Sequence, residues 1–169
     1  MQQFAIGSWN RMSGRSTSKK QAESVWIGGL NKQVGFLLRK ASQRNLTIFQ
    51  KHAPLASLTS VQAASLIVLI DHSPCSLTTL GRVAAMDPAT TRGVAERLSE
   101  KGWVSLVADL KDKRKVMVKL EKKGRQFALD LIPVLHAIAD KTLEPLNEAE
   151  RIALVYLLGK IANGHENES

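Results

Sequence analysis

The densest charged chemistry in the sequence is the run Asp109-Leu110-Lys111-Asp112-Lys113-Arg114, followed by Lys115. Asp112 stands two residues before Arg114 and can hold its guanidinium in a fork through charge-assisted hydrogen bonds. Lys111, Lys113 and Lys115 would present ammonium groups to phosphates, contacts that add affinity without sequence preference. Ordinary solvation of a surface loop accounts for the same charges, so both readings stand at this point. A second cluster lies upstream, where Ala89, Thr90, Arg92, Gly93 and Arg97 fall within a helical pattern. Arginine can pair with guanine O6 and N7 or with a phosphate, and threonine with a phosphate or a thymine methyl. Gly93 in mid-helix costs about 1 kcal/mol relative to alanine. That cost makes sense where a backbone must approach a polyanion closely, and a tolerated surface glycine is the other reading.

Enzyme chemistry finds no comparable foothold. No phosphate-binding glycine loop, nucleophile elbow or HExxH is present, and sequence-adjacent residues assemble no acid–base or nucleophile set. The expectation is a chain that is not an enzyme and takes no cofactor. The four histidines, His52, His72, His136 and His165, are scattered without metal-ligand spacing, so no metal site is expected. Cys75 is the sole cysteine, which rules out an internal disulfide and fits a reducing cytosol. No apolar stretch is long enough to cross a bilayer or to form a signal-peptide core.

Charge is unevenly spread over the 169 residues, whose formal total is +9. Residues 1–52 carry 9 basic against 1 acidic side chain and residues 77–123 carry 11 against 6, whereas residues 124–169 carry 4 against 7. Basic charge gathered in the first stretch and a middle block points to nucleic acid, with an anionic membrane surface as the competitor.

The elements that must position these groups can be read from periodicity and caps. Residues 1–23 are polar, basic and aperiodic, the pattern of a flexible arm. Val34, Leu37, Leu38, Ala41, Ile48 and Phe49 recur at helical steps and predict a helix over Asn31–His52. Thr59-Ser60-Val61-Gln62 has capping-box spacing and opens a helix through Ile70. Two shorter helices follow over Ser76–Ala85 and Pro88–Lys101, the second with Asp87 as N-cap, Pro88 in its first turn and Gly102 as its stop. Its inward face is predicted to be Thr91, Val94, Ala95 and Leu98, leaving Ala89, Thr90, Arg92, Gly93, Glu96 and Arg97 outside. The period then changes. Residues 103–107 and Val116–Leu120 are β-prone and flank the charged loop as a hairpin. Helices then span Lys122–Leu143, with Pro133 expected to kink it, and Asn147–Ala162. The fold class is mainly α, a winged helix-turn-helix over residues 53–121, with dimerisation helices at 24–52 and 122–163. The terminal helices carry more apolar surface than one chain of this size needs, which implies a core shared between two copies; a monomeric bundle is the alternative.

From Leu77 to Gly124 the sequence resembles the MarR family of bacterial transcriptional regulators. The resemblance rests on the Asp87-to-Leu98 helix pattern, the Lys101-Gly102-Trp103-Val104 exit, the Asp109…Asp112-Lys113-Arg114 wing and Leu120…Gly124. It implies a homodimer binding a pseudo-palindromic double-stranded operator, usually as a repressor, under control of a small effector. Contacts to DNA would fall on Thr78, Ala89, Thr90, Arg92, Gly93, Arg97, Lys111, Asp112, Lys113 and Arg114, with Asp112 organising the wing and Arg114 entering the minor groove. The effector would sit in a cleft beside the dimerisation helices, where Arg39, Ser42, Arg44, Asn45 and His72 are the polar candidates; dimer salt bridges or solvation are the other use for those arginines. Residues 37–45 and 86–90 are similar to the branch that senses aromatic and heteroaromatic acids, hydroxynicotinate among them. Two positions depart from the family. Arg92-Gly93 stands where Thr-Arg is common, turning the arginine by about 100° around the helix, and Glu121 replaces a common threonine. Two alternatives stay open: a winged helix that docks an acidic protein, and a regulator that senses oxidants through Cys75.

Overall fold

In a computed structural model of the chain, residues 29–53 and 58–164 are described, so the basic arm predicted over 1–23 lies outside them. Two compact units divide between Ser42 and Gln43. The described part of the first holds a short 3-10 turn at Leu30–Lys32, which is why helix α1, Val34–His52, begins three residues later than its periodicity suggested. Within it the Lys40 ammonium lies 5.7 Å from the centre of the Phe36 ring.

The second unit carries the rest of α1 and the remaining elements. These are α2 (Ser60–His72), β1 (Cys75–Ser76), α3 (Leu77–Val83), α4 (Pro88–Glu100), β2 (Val104–Ala108), β3 (Val116–Leu120), α5 (Lys122–Thr142) and α6 (Glu148–Ala162). The capping box read from the sequence at Thr59 forms, and a second one opens the last helix. Thr59 and Gln62 exchange side-chain bonds with each other's backbone at the start of α2, and Asn147 and Glu150 do so at the start of α6. α5 runs through Pro133 as one element.

One element was not foreseen. Cys75, which reads as loop, and Ser76, which reads as the start of a helix, pair with the wing as a third strand, and the antiparallel order is β1-β3-β2. Two residues are too short to show a period, so only the partner strand reveals them. Val118, fully buried, faces Cys75 on one side and Leu106 on the other. Ser73 fastens the same junction, its hydroxyl accepting from the Leu120 amide at 2.7 Å.

The core gathers Leu66 and Leu69 from α2, Leu80 from α3, Val94, Ala95 and Leu98 from α4, Val118 from β3, and Ala128 and Leu131 from α5. Burying each leucine is worth roughly 1.5–3 kcal/mol. Trp103 stacks on Phe127, ring centres 4.4 Å apart, which ties the base of the wing to α5. At the same place α5 passes so close that a Cβ on Gly124 would lie 2.0 Å from the Trp103 carbonyl oxygen. The Glu121 amide donates to that same oxygen at 3.0 Å.

Candidate nucleic-acid interface

α3 and α4 form the helix-turn-helix. Ser76 caps α3, its hydroxyl accepting from the Thr79 amide, and Gly81 permits the crossing: a Cβ there would meet Thr91 Oγ1 at 2.7 Å. The turn between them closes at Ala85, whose φ of 52° places an alanine in left-handed backbone; the Met86 amide then reaches the Gly81 carbonyl at 2.8 Å. α4 starts on Asp87, which accepts from the Thr90 amide at 2.9 Å and from the Thr90 hydroxyl. Those two bonds, the hydroxyl first, hold the Asp87 carboxyl below the usual carboxylate range. The helix ends in a Schellman pair, Gly102 at φ 69° donating to Ser99 and Trp103 donating to Leu98.

The buried residues of α4 are Thr91, Val94, Ala95 and Leu98, as the periodicity predicted. The outward face therefore presents Ala89, Thr90, Arg92, Glu96 and Arg97, all exposed, with Gly93 among them. Arg92 Nη1 lies 3.8 Å from Glu96, an exposed pair of small energetic weight. Arg97 folds back along the helix, so that a Cβ on Gly93 would meet its Nη2 at 3.1 Å.

In the wing the turn is built chiefly by Asp109. Its Oδ1 accepts from the Lys111 and Asp112 amides, both at 2.8 Å, and these bonds, with the Lys115 charge, hold its carboxyl below the usual range. Asp112 accepts from the Arg114 amide at 3.1 Å. The fork expected between Asp112 and Arg114 is looser than their spacing suggested. Arg114 Nε lies 3.5 Å from Asp112 Oδ1, and the side chain is 94% exposed. A carboxylate on a two-residue lever reaches the backbone of a tight turn more readily than the far end of an extended arginine. Leu110, at the tip, is fully exposed; nothing in the charge pattern singled it out.

A cleft of about 880 Å³ separates the wing from the helix-turn-helix. Arg92, Arg114 and Lys115 line it together with Thr78, Ser76, His72 and Asp109, so cations dominate its rim. His72, an effector candidate in the sequence reading, is among the residues that line this cleft. Arg44 and Asn45 meet the end of α5. Arg44 donates to the Lys141 and Thr142 carbonyls at 3.2 and 3.4 Å, and Asn45 to the Thr142 hydroxyl at 3.0 Å, a cation placed where the helix dipole favours it. Arg39 and Ser42, in the first unit, are exposed on α1. Glu121 leaves the N-cap of α5 without a side-chain bond and accepts instead from the Ser105 hydroxyl at 2.6 Å. Cys75 is buried, and burial pushes its thiol up, which keeps the reactive thiolate scarce. Among the described residues no cluster of potential metal ligands occurs, and no helix is long and apolar enough to cross a membrane.

The MarR family profile matches residues 58–116, the stretch from the start of α2 to the wing. The transcriptional repressor NicR of Pseudomonas putida is 42% identical over 138 residues, covering 82% of this chain and 87% of NicR. The chain belongs to the MarR family. Among solved MarR-like structures, BpsR of Bordetella bronchiseptica, whose DNA binding is regulated by 6-hydroxynicotinic acid, is 42% identical, with a TM-score of 0.74 over 78% of this chain and 94% of BpsR. A probable transcriptional regulator from Pseudomonas aeruginosa is 36% identical, with a TM-score of 0.74 over 78% of this chain and 98% of its own. The helix-turn-helix and wing described above are thus those of a MarR regulator, and the mainly helical winged fold read from the sequence holds.

Proposed function

We propose that the chain is a homodimeric, cytoplasmic transcriptional repressor without enzymatic activity. It binds a pseudo-palindromic double-stranded operator and releases it on binding an aromatic or heteroaromatic acid. One observation carries this reading: a capped α4 whose apolar face is buried and whose outer face is polar and cationic, set beside a basic wing across an open, cation-rimmed cleft. α4 suits the major groove and Arg114, extended and exposed, the minor groove. The acid effector is suggested by the relatives, since NicR is a repressor and BpsR responds to 6-hydroxynicotinic acid.

The domain division follows from the same reading, with 53–121 binding DNA and 24–52 and 122–163 joining two copies. α6 supports it, because Ile152, Val155, Tyr156, Leu157 and Ile161 are each more than half exposed on a single chain. Such a surface suits a second copy. Arg39 and Ser42 remain the effector candidates without a described helix-capping duty. Arg44 and Asn45 would have to exchange their bonds to α5 for the ligand.

Gel-shift titration against the DNA upstream of the chain's own gene tests the reading. Nanomolar binding, lost steeply with added salt and weakened by Arg114→Ala, is expected. Release and thermal stabilisation by 6-hydroxynicotinate should accompany it. Binding indifferent to Arg114→Ala would overturn the role given to the wing.

A further inference from the structure

We propose that α4 divides its two outward arginines between tasks: Arg97, laid over Gly93, reads a guanine edge, while Arg92 grips the phosphodiester backbone in the wing cleft. The inference rests on the DNA-binding reading above and assigns its base contact.

Taking the buried Thr91, Val94, Ala95 and Leu98 as the inner face of α4, the point opposite falls between Ala89 and Gly93. Arg92 lies about 100° around the helix from Thr91, on the flank toward the wing. The cavities agree: Arg92 borders the large cleft with Thr78, Arg114 and Lys115, and a smaller one with Ala108, Lys113 and Lys115. Its guanidinium also sits 3.8 Å from Glu96, an exposed pair one turn along the helix. A backbone strand running between the wing and α3 would meet Arg92, Lys115 and the Thr78 hydroxyl together. That grouping suits phosphate, which needs charge rather than a planar partner.

Arg97 is placed differently. Side chains on a helix lean toward its N-terminus, so a residue at i covers the surface over i−4. Here that surface is Gly93, and the missing Cβ leaves room for the guanidinium, which lies 3.1 Å from where that Cβ would be. The head group is thereby brought to the middle of the outward ridge, toward the N-terminal turns that enter the groove first. Thr90, the polar group on the same flank as Arg97, has its hydroxyl committed to Asp87. The glycine that replaces a side chain at position 93 is thus the seat of the arginine four residues on.

Fluorescence anisotropy with the full-length chain, an operator duplex and a scrambled duplex of equal length, over a range of salt, separates the roles. Arg97→Ala should lower the operator-over-scrambled ratio roughly ten- to hundredfold, the loss of one bidentate base contact. Arg92→Ala should weaken both duplexes alike, leave the ratio unchanged and reduce the salt slope by about 1. Gly93→Ala should leave the melting temperature unchanged or raised yet lower the ratio. In combination with Arg97→Ala it should add little, because both act through one guanidinium. The reverse pattern, with the ratio lost in Arg92→Ala and kept in Arg97→Ala, would overturn the assignment and leave the DNA-binding reading intact. Failure of the native chain to bind either duplex at low salt would overturn both.

Discussion

Two backbone positions set the geometry of the interface, and each makes a measurable demand. Gly124 touches the Trp103 carbonyl where the wing meets α5, and an added Cβ would sit 2.0 Å from that oxygen. Neither partner can yield cheaply, since Trp103 is stacked on Phe127 and its carbonyl already accepts from Glu121. Gly124→Ala is expected to cost about 3 kcal/mol, the upper end of overpacking penalties, visible as a lower midpoint in urea denaturation. Ala85 presents the opposite case. Left-handed backbone disfavours any residue with a Cβ by roughly 1–2 kcal/mol, whereas glycine loosens the unfolded chain by about 0.4–1 kcal/mol. Ala85→Gly should therefore stabilise by up to about 1.6 kcal/mol in the same measurement; a loss of stability would contradict a left-handed turn between α3 and α4.

At the scale of the element, the wing is a hairpin whose turn depends on a carboxylate. Asp109 accepts from the Lys111 and Asp112 amides, and its folded pKa lies below the unfolded value of about 3.9. A depressed carboxylate contributes order that is fully present above the unfolded value and is lost as pH falls through the folded one. The Lys111 and Asp112 amides should consequently stay protected from hydrogen exchange at pH 5 and lose that protection only as pH falls below the unfolded value. Asp109→Ala should lose it at both and, by letting Lys111, Lys113 and Arg114 wander, weaken DNA binding even though no cation has been removed. Equal protection in the native and Asp109→Ala chains would remove Asp109 from the turn. Asp87 follows the same sign at the start of α4, where its bonds to Thr90 weaken as it protonates.

Over the whole molecule the unsatisfied feature is α6, apolar around its circumference and buried nowhere along its length in a single chain. Paired substitution Ile152→Asp with Val155→Asp is expected to give a monomer by sedimentation, with helical circular dichroism retained because the winged-helix core lies elsewhere. Operator affinity should fall roughly a hundred- to ten-thousandfold, since two linked recognition helices gain from their effective concentration. A dimer that survives both aspartates would place the interface on another surface.

Local chemistry was legible without coordinates wherever one residue's type dictates one backbone outcome. Thr59 with Gln62, Asn147 with Glu150, Asp87 before Pro88, and Gly102 after α4 each announce a helix end, because a side chain or a positive φ satisfies groups the helix leaves open. The buried face of α4 was equally legible, since a 3.6-residue period places Thr91, Val94, Ala95 and Leu98 on one side wherever the helix packs. Tertiary structure alone decided the rest. β1 exists only because β3 lies beside it, and His72 lines the wing cleft because the end of α2 meets the hairpin there. Arg44 turned out to cap α5 across 97 residues of chain, and Arg97 to rest on Gly93. Charge marks a residue as able to bind an anion, but a long flexible side chain takes whichever partner the packed elements bring within reach. That partner is a fact about distance in space, which spacing along the chain does not encode.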